Sequence, residues 1–321
     1  MVHIFITGAT GYIGGNILDE LVAKHPTYVI TALARAETSA AVLRKKYPTI
    51  RIAMGDLDSI TVLETESEKA DVVIHTADAD HAASAKALIA GVSKRPQGGL
   101  MLHTSGLTII MDKPNGDHLS PRVWDDIADV DELTSLPDTH WHRPVDKIIL
   151  EAPENVRTAI ICPPRVMGLS KGIKKSGRGT AALRDGFKKA GPFQINSGAP
   201  KQSYIHNNDL AKLYLLLVSE GFKPDGGAAQ WKGEGYYFAE SGEASAAEIA
   251  EASSKALGLG PVRKISLAEA GDIGRIFTIL CGVNARCVAK RARKLGWEPT
   301  EESYHHALAE EFAVLDGESD R

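Results

Sequence analysis

Val2 to Thr7 is an apolar run rich in β-branched and aromatic residues that stops at Gly8, after which Ile13, Ile17, Leu18, Leu21 and Val22 recur at helical spacing. The pattern predicts strand, turn and helix. A second apolar run, Tyr28 to Leu33, leads into a helical stretch at about residues 39–46. Arg51 to Met54, Val72 to His75, Leu100 to Thr104 and Val156 to Ile161 predict four further strands, most of them separated by helical segments. Short strands alternating with helices imply βαβ units, so the predicted class is α/β with a Rossmann-type doubly wound parallel sheet. The character changes after Pro163-Pro164. Residues 1–165 are read as the dinucleotide-binding Rossmann domain, and residues 166–321 as mainly a substrate-binding region, smaller and interleaved, with segments returning to the Rossmann core. The basic, glycine-rich run Lys171 to Gly179 reads as a mobile loop, either a solvated surface linker or a lid or phosphate-contacting segment.

Composition narrows the function classes. The 321 residues are 43% hydrophobic and 24% charged, with a net charge of −4, which suits a folded chain with a large core. That charge argues against chain-wide attraction to nucleic acid or anionic membranes, so the expected partner is a small-molecule substrate; the sequence leaves the oligomeric state open, a homodimer included. Three cysteines without metal-ligand spacing, and no apolar run approaching the ~20 residues of a membrane span, lead to a cytoplasmic expectation. His81, the His140/His142 pair and His305-His306 lack convergent carboxylates or thiols, so no metal site is expected.

Gly8-Ala9-Thr10-Gly11-Tyr12-Ile13-Gly14 follows the first strand and opens the first helix. Glycines so spaced permit a sharp turn, a close backbone approach to a pyrophosphate, and tight helix–strand packing, with the helix's free N–H groups toward the anion. At the end of the second strand stands Arg35, where an acidic residue would bind ribose hydroxyls; a guanidinium there favours NADP over NAD. A solvent-facing arginine is the alternative. Asp56, in Gly55-Asp56-Leu57, is either an acceptor for the adenine amino group or a helix cap.

Together with His75-Thr76-Ala77, Cys162-Pro163-Pro164-Arg165-Val166-Met167-Gly168, His206-Asn207-Asn208-Asp209-Leu210-Ala211 and Lys294-Leu295-Gly296-Trp297-Glu298-Pro299, these motifs resemble the extended and atypical short-chain dehydrogenase/reductases, including the epimerase/dehydratase-like and NmrA-like branches. The resemblance implies a sheet of about seven parallel strands that binds NAD(P). It implies cofactor contacts from Gly8, Thr10, Gly11, Tyr12, Ile13, Gly14, Asp56, Leu57, Thr76, Ala77 and Pro163, and from Lys147 on the ribose.

The catalytic part departs from that family. Its Tyr-x-x-x-Lys pair matches Lys147 but finds Arg143 at the tyrosine position, and a guanidinium, which keeps its proton, is a poor general acid. The family hydroxyl after strand five falls on Gly106, with Ser105 or Thr108 as near substitutes. Pro144 places Arg143 at a helix start and Lys147 one turn in, where Arg143 would face the substrate space. His140 and His142 are the groups best placed to supply the missing proton, with Tyr204 in reserve. The catalytic candidates are therefore Lys147, Arg143, Ser105 and His142. Two functions follow: an NADP-dependent oxidoreductase of a small carbonyl or enone, or a non-redox NADP-binding protein, either an NmrA-like regulator or a lyase or isomerase on the same fold.

Overall fold

A computed structural model gives the structure of residues 1–301 and 303–319. The central sheet is built from β1 (His3–Thr7), β2 (Val29–Ala34), β3 (Arg51–Met54), β4 (Val72–His75), β5 (Gly99–Thr104), β6 (Val156–Cys162) and β7 (Tyr236–Phe238). Its spatial order is β7-β6-β5-β4-β1-β2-β3, and every pairing is parallel. In the register of β1, Ile4 stands opposite both Ile30 and Val72. Ile4, Phe5, Ile6, Val72, Val73 and Ile74 are buried, as strands with helices on both faces require. The six strands read from the apolar runs agree to within one residue at each end. The seventh, three residues long, comes from far along the chain and carries no comparable local signal.

The order reverses between β1 and β4, and at such a switch point ligands bind outside the carboxyl ends of the strands. Helix α1 (Tyr12–Lys24) starts there, directly after β1. Helix α2 (Arg143–Leu150) precedes β6, and helix α3 (Arg178–Ala190) follows the basic loop. Helix α4 (Tyr304–Ser319) closes the described chain. Beyond the main core, Leu183, Phe187, Phe193, Phe277, Leu308 and Phe312 form part of a second hydrophobic cluster. Around it lie a sheet of Gly242–Ser245, Lys201–His206 and Arg165–Met167, and the pair Phe193–Ile195 with Arg263–Ile265.

The Lys171 to Gly179 segment is not the mobile linker the sequence suggested. Asn16 accepts from the Lys171 amide at 2.8 Å, and Glu20 pairs with the Lys171 ammonium at 2.5 Å. The buried Glu311 carboxylate, on α4, accepts from the Gly168 amide (2.7 Å), the Gly177 amide (3.3 Å) and the Ser176 hydroxyl. A Cβ on Gly172 would lie 2.5 Å from the Gly15 backbone, so the loop packs against the first turns of α1. The basic run Lys290–Lys294 is tied into the fold: buried Arg291 donates to the Asp126 carbonyl at 2.8 Å, and Arg293 pairs with Glu240 at 2.6 Å. Among the described residues no helix is long and apolar enough to cross a membrane, and no cluster of three metal-ligating side chains forms.

Candidate active site

The glycine motif forms a cradle that only small residues can build. Gly8 has φ +78°, and a Cβ on it would lie 2.5 Å from Thr76 Oγ1. A Cβ on Gly14 would lie 2.2 Å from the same oxygen and 2.5 Å from the Gly8 carbonyl. Helix α1 begins at Gly11, whose N-cap position supplies no side chain to the first-turn amides. Those amides are free donors at the positive end of the helix dipole. A cleft of about 550 Å³ opens beside them, its walls including Gly8, Thr10, Gly11, Arg35, Thr76 and Ala77. Leu57 and Asp56 also line it. Another cavity of about 550 Å³, bounded by His3, Arg51 and Lys69, lies at the amino ends of the strands, away from the helix terminus.

Arg35 is exposed at the rim of this cleft, and among the described residues its guanidinium makes no hydrogen bond or ion pair; Glu37, two residues on, pairs with Arg44. Asp56 is partly engaged: its Oδ1 accepts from the Ser59 hydroxyl (2.8 Å) and the Asp58 amide (3.1 Å), which hold its carboxyl below the usual range. Two residues of the motif turn elsewhere. The Tyr12 hydroxyl donates to the Gly168 carbonyl at 2.5 Å, so its side chain ties α1 to the far side of the molecule, and Ile13 packs against the core.

A second cleft of about 300 Å³ starts at Tyr12 and is lined by Gly106, Leu107, Thr108, Pro163, Arg165 and Arg178, among others. The expected pair is corrected here. Arg143 is buried, donating from Nε to the Leu136 carbonyl (2.8 Å) and from Nη2 to the Thr134 carbonyl (2.6 Å), at the end of a preceding helix. Lys147 is exposed and lines neither cleft. Helix α2 buries Arg143, Val145, Asp146 and Ile149 and turns Lys147 outward, while His142, at its N-cap, is the residue that reaches Thr108. Ser105 is corrected too, since its buried hydroxyl donates to Asp146 Oδ2 at 2.9 Å and lines neither cleft.

At position 142 stands a histidine in the left-handed region, with φ 67°, a conformation that costs a non-glycine residue about 1–3 kcal/mol and persists only where surroundings enforce it. Its Nδ1 is 2.8 Å from Asp80 Oδ1, and its Nε2 is 2.7 Å from Thr108 Oγ1. Gly106 makes room, because a Cβ there would lie 2.9 Å from that Nε2. Asp80, His142 and Thr108 thus form one hydrogen-bonded line that ends on a hydroxyl in the second cleft. His140 is turned away, with Nδ1 2.8 Å from the Ile109 carbonyl. Tyr204 packs edge-on to Tyr304 with ring centres 5.2 Å apart.

Behind this wall lies a buried polar array. Asp146 Oδ2 accepts from Ser105 and from the Tyr236 hydroxyl (2.6 Å), and burial nevertheless pushes its carboxyl up to about 6. Its Oδ1 is 3.7 Å from His103 Nε2, and neither atom has a hydrogen-bond partner. The His103 ring centre is 5.3 Å from that of His75, whose Nδ1 is 2.7 Å from Thr7 Oγ1; burial lowers His75 to about 4.

Sequence reasoning missed Asp80, Asp146 and Glu311. Asp80 had a signal in the acidic cluster Asp78-Ala79-Asp80 straight after the fourth strand. Asp146 lay within the very turn inspected for a lysine, and Glu311 had none.

The fold and clefts are those of a nicotinamide-dinucleotide-binding protein of the Rossmann class. The description "NAD dependent epimerase/dehydratase family" matches residues 4–92. Oxidase ucsJ of an Acremonium species is 31% identical over 324 aligned positions, covering 92% of each chain. Among solved structures, DesIV, a dTDP-glucose 4,6-dehydratase from Streptomyces venezuelae with NAD and TYD bound, superposes with TM-score 0.71 at 16% identity over 99% of this chain and 98% of that one. The human epimerase family protein SDR39U1 with NADPH superposes with TM-score 0.64 at 16% identity, over 97% and 99%. The chain belongs to the NAD dependent epimerase/dehydratase family.

Proposed function

We propose that the protein is an NADP(H)-dependent oxidoreductase acting on a small carbonyl or enone substrate, with Thr108 and His142 moving the proton that the family's tyrosine ordinarily moves. The observation that carries this reading is the Asp80–His142–Thr108 line ending in the second cleft. When bound, the nicotinamide supplies or accepts a hydride. The chain's residues do the rest. With the imidazole protonated at both nitrogens, Nδ1–H donates to Asp80 and Nε2–H to Thr108, which leaves the threonine's own hydrogen free for an oxygen in the cleft. Passing that hydrogen on and taking one from His142 restores the hydroxyl and leaves a neutral ring, whose Nδ1–H still donates to Asp80; before the transfer Asp80 stabilises the protonated ring. Likeness to an oxidase over nearly the whole chain supports redox chemistry. The unpaired Arg35 at the rim supports NADP, since it is free to pair with the 2′-phosphate.

Two measurements test this. NADPH consumption over a panel of ketones, aldehydes and enones should fall about 10²- to 10⁴-fold in His142→Gln, while NADPH affinity stays within twofold. Calorimetry should give tighter binding of NADPH than NADH, and Arg35→Ala should remove about ten- to a hundredfold of that preference. Equal affinities in the wild type would end the NADP assignment.

The second reading, binding of NADP(H) without redox turnover, is favoured by the loss of the family's tyrosine–lysine pair, with Arg143 buried and Lys147 outside both clefts. A wild type that binds NADPH and consumes none with any compound of the panel would decide for it.

A further inference from the structure

The second cleft is unusual in its charge. Its walls include Leu107, Pro163, Val166, Ile279 and Leu280, and none of the lining residues is acidic, yet two arginines reach it. Arg165 is partly buried and spends one nitrogen, Nη2, on Gln202 Oε1 (3.0 Å) and the Leu280 carbonyl. Among the described residues its Nε and Nη1 bond to no protein group, and no carboxylate pairs with it. Arg178, exposed at the first turn of α3, has no ion-pair partner among the described residues either. A guanidinium withdrawn from water is ordinarily paired, because an uncompensated charge in apolar surroundings is costly. Burial lowers the Arg165 guanidinium below its ordinary range, in keeping with a charge that lacks its counter-ion.

We propose that this cleft binds a substrate with a small apolar body and one carboxylate, the carboxylate held by Arg165 and Arg178 and the reacting carbonyl or alcohol carbon at Thr108. The inference rests on the proposed redox reading for the identity of the reacting group, but not for the anion. Guanidinium groups meet a carboxylate through paired N–H donors. About 300 Å³ is at the lower end of the range of small-molecule sites, roughly 300–1,000 Å³, and suits a short-chain keto or hydroxy acid far better than a nucleotide sugar. The apolar walls favour a singly charged carboxylate on a hydrocarbon body over a doubly charged phosphate ester, which costs more to withdraw from water.

The test is calorimetric titration of the NADP⁺-loaded protein, and of the free protein, with hexanoate, hexanamide and inorganic phosphate. Hexanoate should bind at least tenfold more tightly than its neutral isostere hexanamide, and phosphate should be the weakest of the three. Arg165→Met should lower hexanoate affinity at least tenfold and leave hexanamide unchanged. Because Arg165 also bonds to Gln202, the exposed Arg178 provides an independent variant: Arg178→Glu should weaken hexanoate severalfold or more without loss of thermal stability. Equal binding of hexanoate and hexanamide, tightest binding of phosphate, or hexanoate affinity unmoved by both substitutions would overturn the proposal. Failure of the redox reading looks different. Hexanoate would still bind through the two arginines while no keto acid consumed NADPH; conversely, turnover of neutral ketones with a KM unchanged in Arg165→Met would leave the redox reading intact and remove the carboxylate.

Discussion

At the scale of single residues, the site is shaped as much by the side chain that is missing as by those present. Gly106 occupies the position counted from the family pattern as a hydroxyl, and the His142 imidazole lies where that side chain would begin. A Cβ at 106 would come to 2.9 Å from His142 Nε2, tighter than van der Waals contact allows, while the neighbouring Cδ2 would lie at 3.3 Å. The ring would have to swing, and its 2.7 Å contact with Thr108 would be the first interaction lost. Gly106→Ala should therefore lower kcat about 10- to 100-fold, in line with the cost of misplacing a reacting group by a fraction of an ångström, while NADPH affinity is unchanged. Steady-state kinetics beside a cofactor titration checks this; a variant with full turnover would detach His142 from the chemistry. Arginine at 143 is held by the fold rather than by the cleft, although its buried Nη1 has no hydrogen-bond partner among the described residues. Its guanidinium satisfies two carbonyls at the end of the preceding helix, a task for which a permanent cation with several donors is well suited.

At the scale of elements, α4 and the loop before α3 depend on one another through Glu311. Four donors converge on its carboxylate, from Gly168, Ser176, Gly177 and Thr180, yet burial outweighs them and pushes the group up to about 7. An acid whose folded value lies above its unfolded one holds its proton longer in the native state. Its contribution is therefore fully favourable below the unfolded value near 4.3 and is lost as pH rises toward 7, by at most about 4 kcal/mol. Glutamine resembles the protonated acid and cannot titrate. Glu311→Gln should match the wild type in urea unfolding at pH 4 and exceed it at pH 8, by up to that amount. A difference between the two proteins that is the same at both pH values would show that burial does not raise the Glu311 carboxyl above its unfolded value. Asp146 works in the same direction over a lower range, ending near 6, whereas His75, lowered to about 4, works against it.

At the scale of the whole molecule, the two halves of the sequence do not divide cleanly in space. The edge of the sheet beyond β6 is covered by β7, Tyr236 pairing with Ile160 and Phe238 with Cys162. The Asp-Leu-Ala segment and the Leu-Gly-Trp segment, nearly 90 residues apart, meet where the Trp297 indole donates to the Asp209 carbonyl at 2.9 Å. Asn207 and Asn16, in turn, lock the start of the Asn207–Gly221 helix onto α1. A fragment of residues 1–165 would expose the buried strand Val156–Cys162 as an unpaired apolar edge, a template for aggregation. Expressed alone it should be largely insoluble or associated, by sedimentation and size exclusion, and should show no NADPH-dependent rise in melting temperature. The full chain should show a rise equivalent to about 2.7 kcal/mol at a hundredfold excess over Kd. A soluble monomeric fragment that binds NADPH would mean that the first 165 residues are a self-sufficient unit.

What the chain carries in local order was readable along it. Six strands, the first helix, the glycine cradle and Arg35 follow from periodicity and from the conformational needs of glycine, both of which act over a few neighbouring residues. The proton-handling line was not readable in that way. Asp80, Thr108 and His142 come from three separate segments, and whether position 142 or 143 faces the cleft depends on a single turn of helix whose phase is fixed by packing. Pro144 marks where α2 begins, but the burial of Val145, Asp146 and Ile149 sets its rotation, turning His142 inward and Lys147 out. The pinned loop is the same case: its lysines and glycines describe a flexible surface segment until a carboxylate more than 130 residues later is brought against it. Short-range sterics and hydrophobic pattern determined the sheet and the cofactor cradle; side-chain phase, burial and long-range hydrogen bonds, which exist only once the chain is packed, decided which residues meet in the second cleft.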